Sequence, residues 1–245
     1  MRWTIASGEH YERNVTATLL HVVELLDRPV FYDVGANYGF YTMKLAPQAR
    51  WVYAFEPVAE TFRILSENVA HNGLRNVSAF KLGLFETESE VPINLYSSSG
   101  TNSIVLTLPP SHPAKLVGRE LIRVVRLEDF VEREGLLSPD VIKLDVEGAE
   151  LAALRGARRL IASSSPIILL ESREEPWVDQ AYSRASLLRE LHGLDYVVAG
   201  LSENYDDPVL YPLGQFEQAN VVNIIAVPRR GESVLKRLGL VIGEL

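Results

Sequence analysis

The sequence predicts an α/β fold in which helices cover both faces of a mostly parallel, doubly wound sheet. Two observations lead to this prediction. Short apolar runs alternate with segments of helical period in both halves of the chain, a pattern typical of β-α-β units with parallel strands. The ending differs, because the apolar runs at 195–201 and 220–228 are separated by a loop without helical period. We therefore expect the last strand to be antiparallel.

The individual elements follow in chain order. Apolar residues at steps of three and four predict a helix at 15–26, inside an N-terminal helical segment spanning 1–28. A second helix is predicted at 38–47 and ends at Pro47. Further helices are predicted at 58–70, 147–161 and 182–192. The predicted strands are 29–34, 51–56, 76–85, 90–97, 122–127, 140–146, 166–171, 195–201 and 220–228.

Composition limits the classes of function. The 245 residues, 47% of them hydrophobic, suffice for one domain over 1–245 with a sizeable core. The formal charge of −8 argues against nucleic-acid binding and against binding to an anionic membrane. No cysteine is present, no histidine spacing matches a metal motif, and no apolar run could cross a bilayer. We expect a cytoplasmic protein without a bound metal.

The alternation of strands and helices is interrupted in the middle of the chain. Between the strands predicted at 90–97 and 122–127 lies a segment, residues 97–118, that is rich in Ser, Thr, Pro and Gly. A loop of this length is usually functional or poorly ordered. Both interpretations stay open, and the functional one is a lid over a binding site.

A glycine-containing turn follows the first predicted strand, in the stretch "VFYDVGANYGFYT" at 30–42. Gly35 and Gly39 carry no Cβ, so the backbone can bend tightly there or another molecule can come close. In an open parallel sheet, ligands bind beyond the carboxyl ends of the strands, where Asp33 ends the first one. A tight turn for packing alone is the alternative.

The end of the second strand favours the ligand interpretation. Glu56 stands where a carboxylate can accept hydrogen bonds from both hydroxyls of a ribose. Asn37 occupies the place of the second glycine in the dinucleotide fingerprint G-x-G-x-x-G, and no third glycine follows. A pyrophosphate is therefore poorly accommodated, and D-x-G-x-N-x-G is closer to a turn that holds the amino-acid part of S-adenosylmethionine.

At this point the chain resembles the FkbM-type S-adenosylmethionine-dependent methyltransferases. The resemblance is carried by "DVGANYGFYT", "AFEPV", "ENVAHNGLRNV" and "IKLDVEGAE", with "HYERN" before them, and it covers roughly residues 11–170. It implies a seven-stranded class I methyltransferase sheet, Rossmann-like, with the last strand antiparallel, and methyl transfer to a hydroxyl of a sugar, glycan or polyketide-like natural product. It also implies that Asp33, Gly35, Asn37 and Gly39 contact the methionine part of S-adenosyl-L-methionine, Glu56 the ribose and Leu84 the adenine.

Three carboxylates follow the strand at 140–146. Asp145 ends that strand, and Glu147 and Glu150 are three residues apart, so they share one face of the predicted helix. Asp145 or Glu147 is our candidate for orienting the acceptor hydroxyl or taking its proton. The alternatives are a purely structural role at a helix start and a divalent cation held by the three carboxylates.

Two further polar residues are candidates for contacts to the methyl acceptor. Glu171 ends the strand at 166–171, and Asn220 begins the last strand, which starts at the same edge if that strand is antiparallel. A cap or loop contact is the alternative for both. Trp177, Tyr205 and Tyr211 could offer aromatic surface to a sugar or belong to a satellite core.

The resulting hypothesis is an O-methyltransferase with a small-molecule or glycan acceptor. Two rival functions remain in the sequence alone. One is an NAD(P)-dependent oxidoreductase, and the other is a domain that binds the cofactor or a partner without catalysis.

Overall fold

The computed structural model describes residues 12–105, 107–109, 111–172, 183–201, 210–212, 214, 216 and 221–231. The strands of these residues are β1 Val30–Val34, β2 Trp51–Phe55, β3 Val77–Phe80, β4 Gly83–Leu84, β5 Ser89–Tyr96, β6 Leu116–Val125, β7 Val141–Leu144, β8 Ile167–Glu171, β9 Tyr196–Leu201, β10 Leu210–Pro212 and β11 Asn223–Pro228. The helices are α1 Arg13–Leu26, α2 Phe40–Leu45, α3 Ala59–His71, α4 Leu127–Glu134, α5 Glu150–Arg155, α6 Arg158–Ser164 and α7 Arg184–Gly193.

The main sheet has the order β10-β9-β11-β8-β7-β1-β2-β3 among the described residues. β1 pairs in parallel with β2 and β7, and β11 runs antiparallel to its neighbours β8 and β9. Apart from the short edge strand β10, this is the predicted seven-stranded, mostly parallel sheet with an antiparallel last strand. The predicted fold class is therefore confirmed.

Two hydrophobic clusters lie on opposite faces of this sheet, as the period of two along a strand requires. Phe31 and Val52 point to the face covered by α1 and α2, whereas Tyr32 and Tyr53 point to the face covered by α4 to α7. The central strands β1, β2 and β7 are buried on both faces, which explains why their sequences are nearly continuous apolar runs.

A second, three-stranded sheet with the order β4-β6-β5 accounts for the interrupted alternation of strands and helices. β6 begins at Leu116, six residues before the predicted start, because it pairs with β5 as far as Tyr96. The strand predicted at 76–85 is divided between β3 of the main sheet and β4 of the second sheet. Helix α4 was not predicted from the sequence.

The helix predicted at 147–161 is wrong at its start and in its middle. Glu147 and Gly148 have positive φ angles of 52° and 97°, so α5 begins only at Glu150. A second interruption separates α5 from α6 at Gly156, where a Cβ would lie 2.0 Å from the carbonyl oxygen of Phe85. This contact with a distant segment ends the helix. The local spacing of apolar residues does not reveal it.

Helix α7 begins at Arg184, and Tyr182, where its predicted start was placed, lies outside the described residues. None of the helices in the described part of the chain combines the length and the apolar character that crossing a membrane requires.

Candidate functional site

A cavity of about 400 Å³ opens at the carboxyl ends of β1, β2 and β7, the edge at which open α/β sheets bind ligands. This volume is within the usual range for small-molecule sites. Its wall includes Gly35 and Asn37 from the turn after β1, Glu56 after β2, and Asp145 and Glu147 after β7. Five of the residues singled out in the sequence thus come together in one place.

Neighbouring protein atoms leave no room for a side chain at either glycine of the turn. Both have positive φ, 78° at Gly35 and 88° at Gly39. A Cβ on Gly35 would lie 1.7 Å from the backbone oxygen of Asp145, and one on Gly39 would lie 2.5 Å from Cδ1 of Leu65. The bare turn therefore lets β1 approach the end of β7 and the helix α3, and Gly35 also lines the cavity.

Asp33 lies below the cavity and does not line it. Its carboxylate is fully buried, and Oδ2 accepts a hydrogen bond of 2.6 Å from the hydroxyl of Thr42. Oδ1 has no hydrogen-bond partner among the described residues. Burial raises the pKa of Asp33, while the nearby ammonium of Lys143 and the bond from Thr42 act in the opposite direction. In this structure the Asp33 carboxylate is bonded to Thr42 of α2, the helix that follows the turn.

Glu56 lines the cavity and fixes the turn from the side. Its Oε2 accepts a bond of 3.0 Å from the backbone N–H of Asn37, and Oε1 accepts one of 3.0 Å from Val58. Burial raises the pKa of Glu56 to about 7, although these two N–H groups oppose the shift. Each carboxylate oxygen has a second lone-pair direction, so the group can still accept hydrogen bonds from a ligand.

Asp145 is held by a buried lysine that the sequence analysis did not single out. Nζ of Lys143 lies 2.7 Å from Oδ2 of Asp145, and it also lies 4.7 Å from the ring centroid of Tyr41. The side chain of Lys143 is only 5% exposed. A charged residue inside an apolar strand, as in "VIKLD", is the signal that could have revealed it, because buried lysines are almost always paired.

The other carboxylates near β7 have different placements. Glu147 lines the cavity, and its carbonyl oxygen accepts a bond of 2.6 Å from the hydroxyl of Ser103. Glu150 is buried and does not line the cavity. Its Oε1 accepts hydrogen bonds from the backbone N–H groups of Val146 and Gly148. Burial raises the pKa of Glu150 to about 7. Glu150 thus stabilises the turn that displays Asp145 and Glu147.

Two more of the predicted site residues line the cavity. Glu171, at the end of β8, has a carboxylate oxygen within 4.8 Å of oxygens of Asp145 and Glu150. The spacing of these three would suit a cation, but the set differs from the trio proposed from the sequence, where Glu147 stood in place of Glu171. Leu84 lines the opposite end of the cavity.

Several residues predicted to contact the acceptor lie outside the described residues. They are Asn220, Trp177 and Tyr205. Tyr211 is part of the edge strand β10 and packs against the main hydrophobic cluster.

The first part of segment 97–118 forms one wall of the cavity, through residues such as Ser98, Ser99 and Asn102. The hydroxyl of Ser99 donates a bond of 3.2 Å to Oδ1 of Asn37. Together with the bond from Ser103 to the carbonyl of Glu147, this joins the segment to both edges of the site. The prediction that the segment acts as a lid stays a prediction.

Comparison with known proteins decides the family. The sequence profile described as the methyltransferase FkbM domain matches residues 33–198, which is more than half of the chain. The chain belongs to the FkbM methyltransferase family. The resemblance noted in the sequence is confirmed, and the matched region contains the predicted cofactor and catalytic residues from Asp33 to Glu147 and the acceptor candidate Glu171. The matched family is one of methyltransferases.

Two relatives illustrate the similarity. The methyltransferase sdnD of Sordaria araneosa is 29% identical over 177 residues, covering 60% of this chain and 67% of that protein. The hexuronic acid methyltransferase AglP of Haloferax volcanii is 29% identical over 160 residues, covering 64% of this chain and 61% of that protein. The FkbM chain described here thus spans about two thirds of the length of these relatives.

A solved structure agrees with the fold. The O-methyltransferase from Bacillus cereus, determined in complex with SAH, superimposes with a TM-score of 0.52 at 14% sequence identity, covering 91% of this chain and 83% of that one. At this identity the likeness concerns the fold alone, and it places the FkbM chain among class I methyltransferase structures.

Proposed function

We propose that the protein transfers a methyl group from S-adenosyl-L-methionine to a hydroxyl of a sugar, a glycan or a polyketide-like natural product. One observation carries the proposal: Glu56 and Asp145 line the same cavity, one on each side of the turn after β1. In this proposal Glu56 would bind the ribose of the cofactor and Asp145 would bind the acceptor hydroxyl in that one cavity.

The residues fit the proposed cofactor. The methionine part would lie against the turn at Gly35 and Asn37, the ribose hydroxyls would donate to Glu56, and the adenine would pack by Leu84. An acidic cavity also suits the positive sulfonium. S-adenosylmethionine, when bound, supplies a methyl group activated by this sulfonium.

The chain itself supplies alignment and proton acceptance. Asp145 would accept a hydrogen bond from the acceptor hydroxyl and take its proton as the methyl group is transferred, while Lys143 holds the carboxylate in place. General-base assistance of this kind contributes roughly 10²–10⁴-fold. Holding the reacting groups in line contributes more, about 7–11 kcal/mol. Glu147 lines the same region and would orient the acceptor.

The comparisons support this proposal without deciding it. One relative is named for methylation of a hexuronic acid, and one structural neighbour is an O-methyltransferase with bound SAH, the product that S-adenosylmethionine leaves. We further propose that residues 1–245 act as one domain, with residues 97–118 closing over the bound cofactor and acceptor.

The test is transfer of a deuteromethyl group from labelled S-adenosylmethionine to a panel of hydroxyl compounds, read by mass spectrometry and by NMR of the product. Labelled methyl ether is the expected product, and Asp145→Asn should slow its formation about 100-fold. Glu132→Gln, a change at an exposed position of α4, is the matched control. Label found only on nitrogen or carbon would contradict transfer to oxygen.

A further inference from the structure

Glu12 lines the cavity but has no part in the proposed reaction. It stands directly before α1, and its backbone carbonyl accepts a helical hydrogen bond of 2.8 Å from the N–H of Thr16. A residue at this position often caps its helix with its side chain, but Glu12 makes no such bond. Its Oε2 instead accepts a hydrogen bond of 2.6 Å from the hydroxyl of Tyr41 on α2. The side chain thus reaches across to another helix at the cavity.

The backbone at Glu12 is strained. Its φ of 38° and ψ of 60° are in the left-handed region, which residues other than glycine seldom adopt. Strain of this kind persists where surrounding contacts impose it, and such positions cluster at functional sites. At Glu12 it accompanies a carboxylate that is directed to Tyr41 and to the cavity, not to the start of its own helix. This combination indicates a role in the cavity.

The bond to Tyr41 places the Glu12 carboxylate beside the turn after β1. Tyr41 is the second residue of α2, which begins directly after Gly39, and it also lines the cavity. In the proposed function the methionine part of the cofactor lies against this turn, at Gly35 and Asn37. Glu12 therefore borders the part of the cavity that is assigned to methionine.

The methionine part needs a partner for its α-ammonium. This group carries a positive charge and N–H donors, and ionised carboxylates are its strongest hydrogen-bond partners. Asp33, expected from the sequence to contact methionine, does not line the cavity, and its Oδ2 is bonded to Thr42. Glu12 does line the cavity, and the Tyr41 hydroxyl is a neutral donor, so its bond leaves the charge of the Glu12 carboxylate in place.

The nearby Lys143 pairs with Asp145 and not with Glu12 among the described residues. Its Nζ lies 2.7 Å from Oδ2 of Asp145 and 4.7 Å from the ring centroid of Tyr41. Burial lowers the pKa of this lysine, whereas the carboxylates of Asp145, Asp33 and Glu12 raise it. One ammonium thus lies among three carboxylates, and a second ammonium, brought by a ligand, would be attracted to them.

We propose that Glu12 binds the α-ammonium of the methionine part of S-adenosylmethionine and that Tyr41 positions it for this contact. The sulfonium has no N–H group to donate, so the ammonium is the cationic group of the cofactor that matches Glu12. The inference rests on the proposed function. It adds a cofactor residue that lies before the matched family region of residues 33–198.

The experiment measures binding, not turnover, and uses the purified full chain. SAH carries the same α-ammonium, and its deaminated analogue has a hydrogen in place of this group. Calorimetry gives the affinity of both ligands for the wild type, for Glu12→Gln and for Glu24→Gln, a matched change at an exposed position of α1. We expect Glu12→Gln to bind SAH about 10- to 100-fold more weakly than the wild type and to bind the analogue equally well. Glu24→Gln should match the wild type with both ligands.

Tyr41→Phe tests the positioning role. It keeps the buried ring and removes the hydroxyl that holds Glu12, so it also serves if Glu12→Gln folds poorly. This variant should bind SAH several-fold more weakly than the wild type and should bind the deaminated analogue equally well.

The wild type separates the two claims. Failure of the wild type to bind SAH would refute the proposed function, and the inference with it. If the wild type binds SAH, an equal loss of affinity for both ligands in Glu12→Gln, or no loss for either, would overturn the inference alone.

Discussion

Lys143 places its ammonium nitrogen 2.7 Å from Oδ2 of Asp145, and both side chains sit at the end of β7. In the sheet register Lys143 is also the direct partner of Asp33 on β1. Burial alone would lower the pKa of Lys143, but the carboxylates of Asp145 and Asp33 outweigh it and raise the pKa above its usual value. The buried ammonium of Lys143 thus stabilises both the Asp33 carboxylate, below the turn, and the Asp145 carboxylate, in the cavity.

Removal of this cation is expected to destabilise the protein strongly. Lys143→Met leaves Asp33 and Asp145 without their positive partner, and breaking a buried pair in this way costs about 3–5 kcal/mol. Urea denaturation gives the free energy of unfolding directly. Lys81→Met, which removes an exposed lysine, is the control and should change stability little. Equal losses in the two variants would mean that Lys143 has no such role.

The raised pKa of Glu56 predicts a pH-dependent difference in stability. Because the folded-state pKa of about 7 lies above the ordinary value of 4.5, the folded protein binds more protons than the unfolded chain between these pH values. The contribution of this carboxyl is therefore fully present below pH 4.5 and is lost as pH rises through 7. At about 1.4 kcal/mol per pKa unit, the loss is about 3 kcal/mol.

Glu56→Gln lacks this titration and resembles the protonated wild type. We expect the two proteins to unfold at similar urea concentrations at pH 4.5 and the variant to be the more stable one at pH 8. Glu24→Gln, on the exposed side of α1, should follow the wild type at both pH values. Wild-type and Glu56→Gln stabilities that change in parallel with pH would contradict the assignment.

Loss of the Glu56 carboxylate should weaken cofactor binding. Hydrogen bonds to a charged group contribute about 1.5–3 kcal/mol, so Glu56→Ala should lower the affinity for SAH roughly 10- to 100-fold. Calorimetry at pH 8 measures this, with Glu24→Ala as the surface control. An unchanged affinity would remove Glu56 from the ribose role.

The turn at Gly35 should not tolerate a side chain. In Gly35→Ala the new Cβ would lie 1.7 Å from the carbonyl oxygen of Asp145, at a φ angle that L residues rarely adopt. Backbone must move at the end of β7, and we expect a loss of about 3 kcal/mol or more. Gly118→Ala, where no atom lies within 4 Å of the new Cβ, is the control for thermal unfolding. A Gly35→Ala protein as stable as this control would show that β1 and β7 can separate without cost.

Segment 97–118 should respond to ligands. Its described contacts to the two edges of the site include the hydrogen bonds from Ser99 to Asn37 and from Ser103 to Glu147. We expect a protease to cut this segment in the protein alone and to cut it more slowly with SAH and acceptor present. Cleavage at equal rates in both states would mean that the segment is no lid.

Much of the fold could be predicted because its signals are local. Strands buried on both faces appear as apolar runs, and the antiparallel end appears as two strands without a helix between them. The interruption at Gly156 and the early start of β6 depend on distant partners, the carbonyl of Phe85 and the strand β5, so a local pattern could not show them. Helix α4 is short and has few apolar residues, which weakened its signal.

The site was predicted in outline by its strand ends. Glu56, Asp145 and Glu171 end their strands at one edge of the sheet, and the structure brings them to one cavity. The position of Lys143 beside Asp33 could not be read from the sequence alone, because it depends on the register between β1 and β7.

The central claim is that this cavity binds S-adenosylmethionine, and calorimetric titration of the purified protein with SAH, NAD and NADP tests it most directly. The account predicts micromolar binding of SAH and no measurable binding of either nicotinamide nucleotide. Binding of a nicotinamide nucleotide without binding of SAH would contradict it.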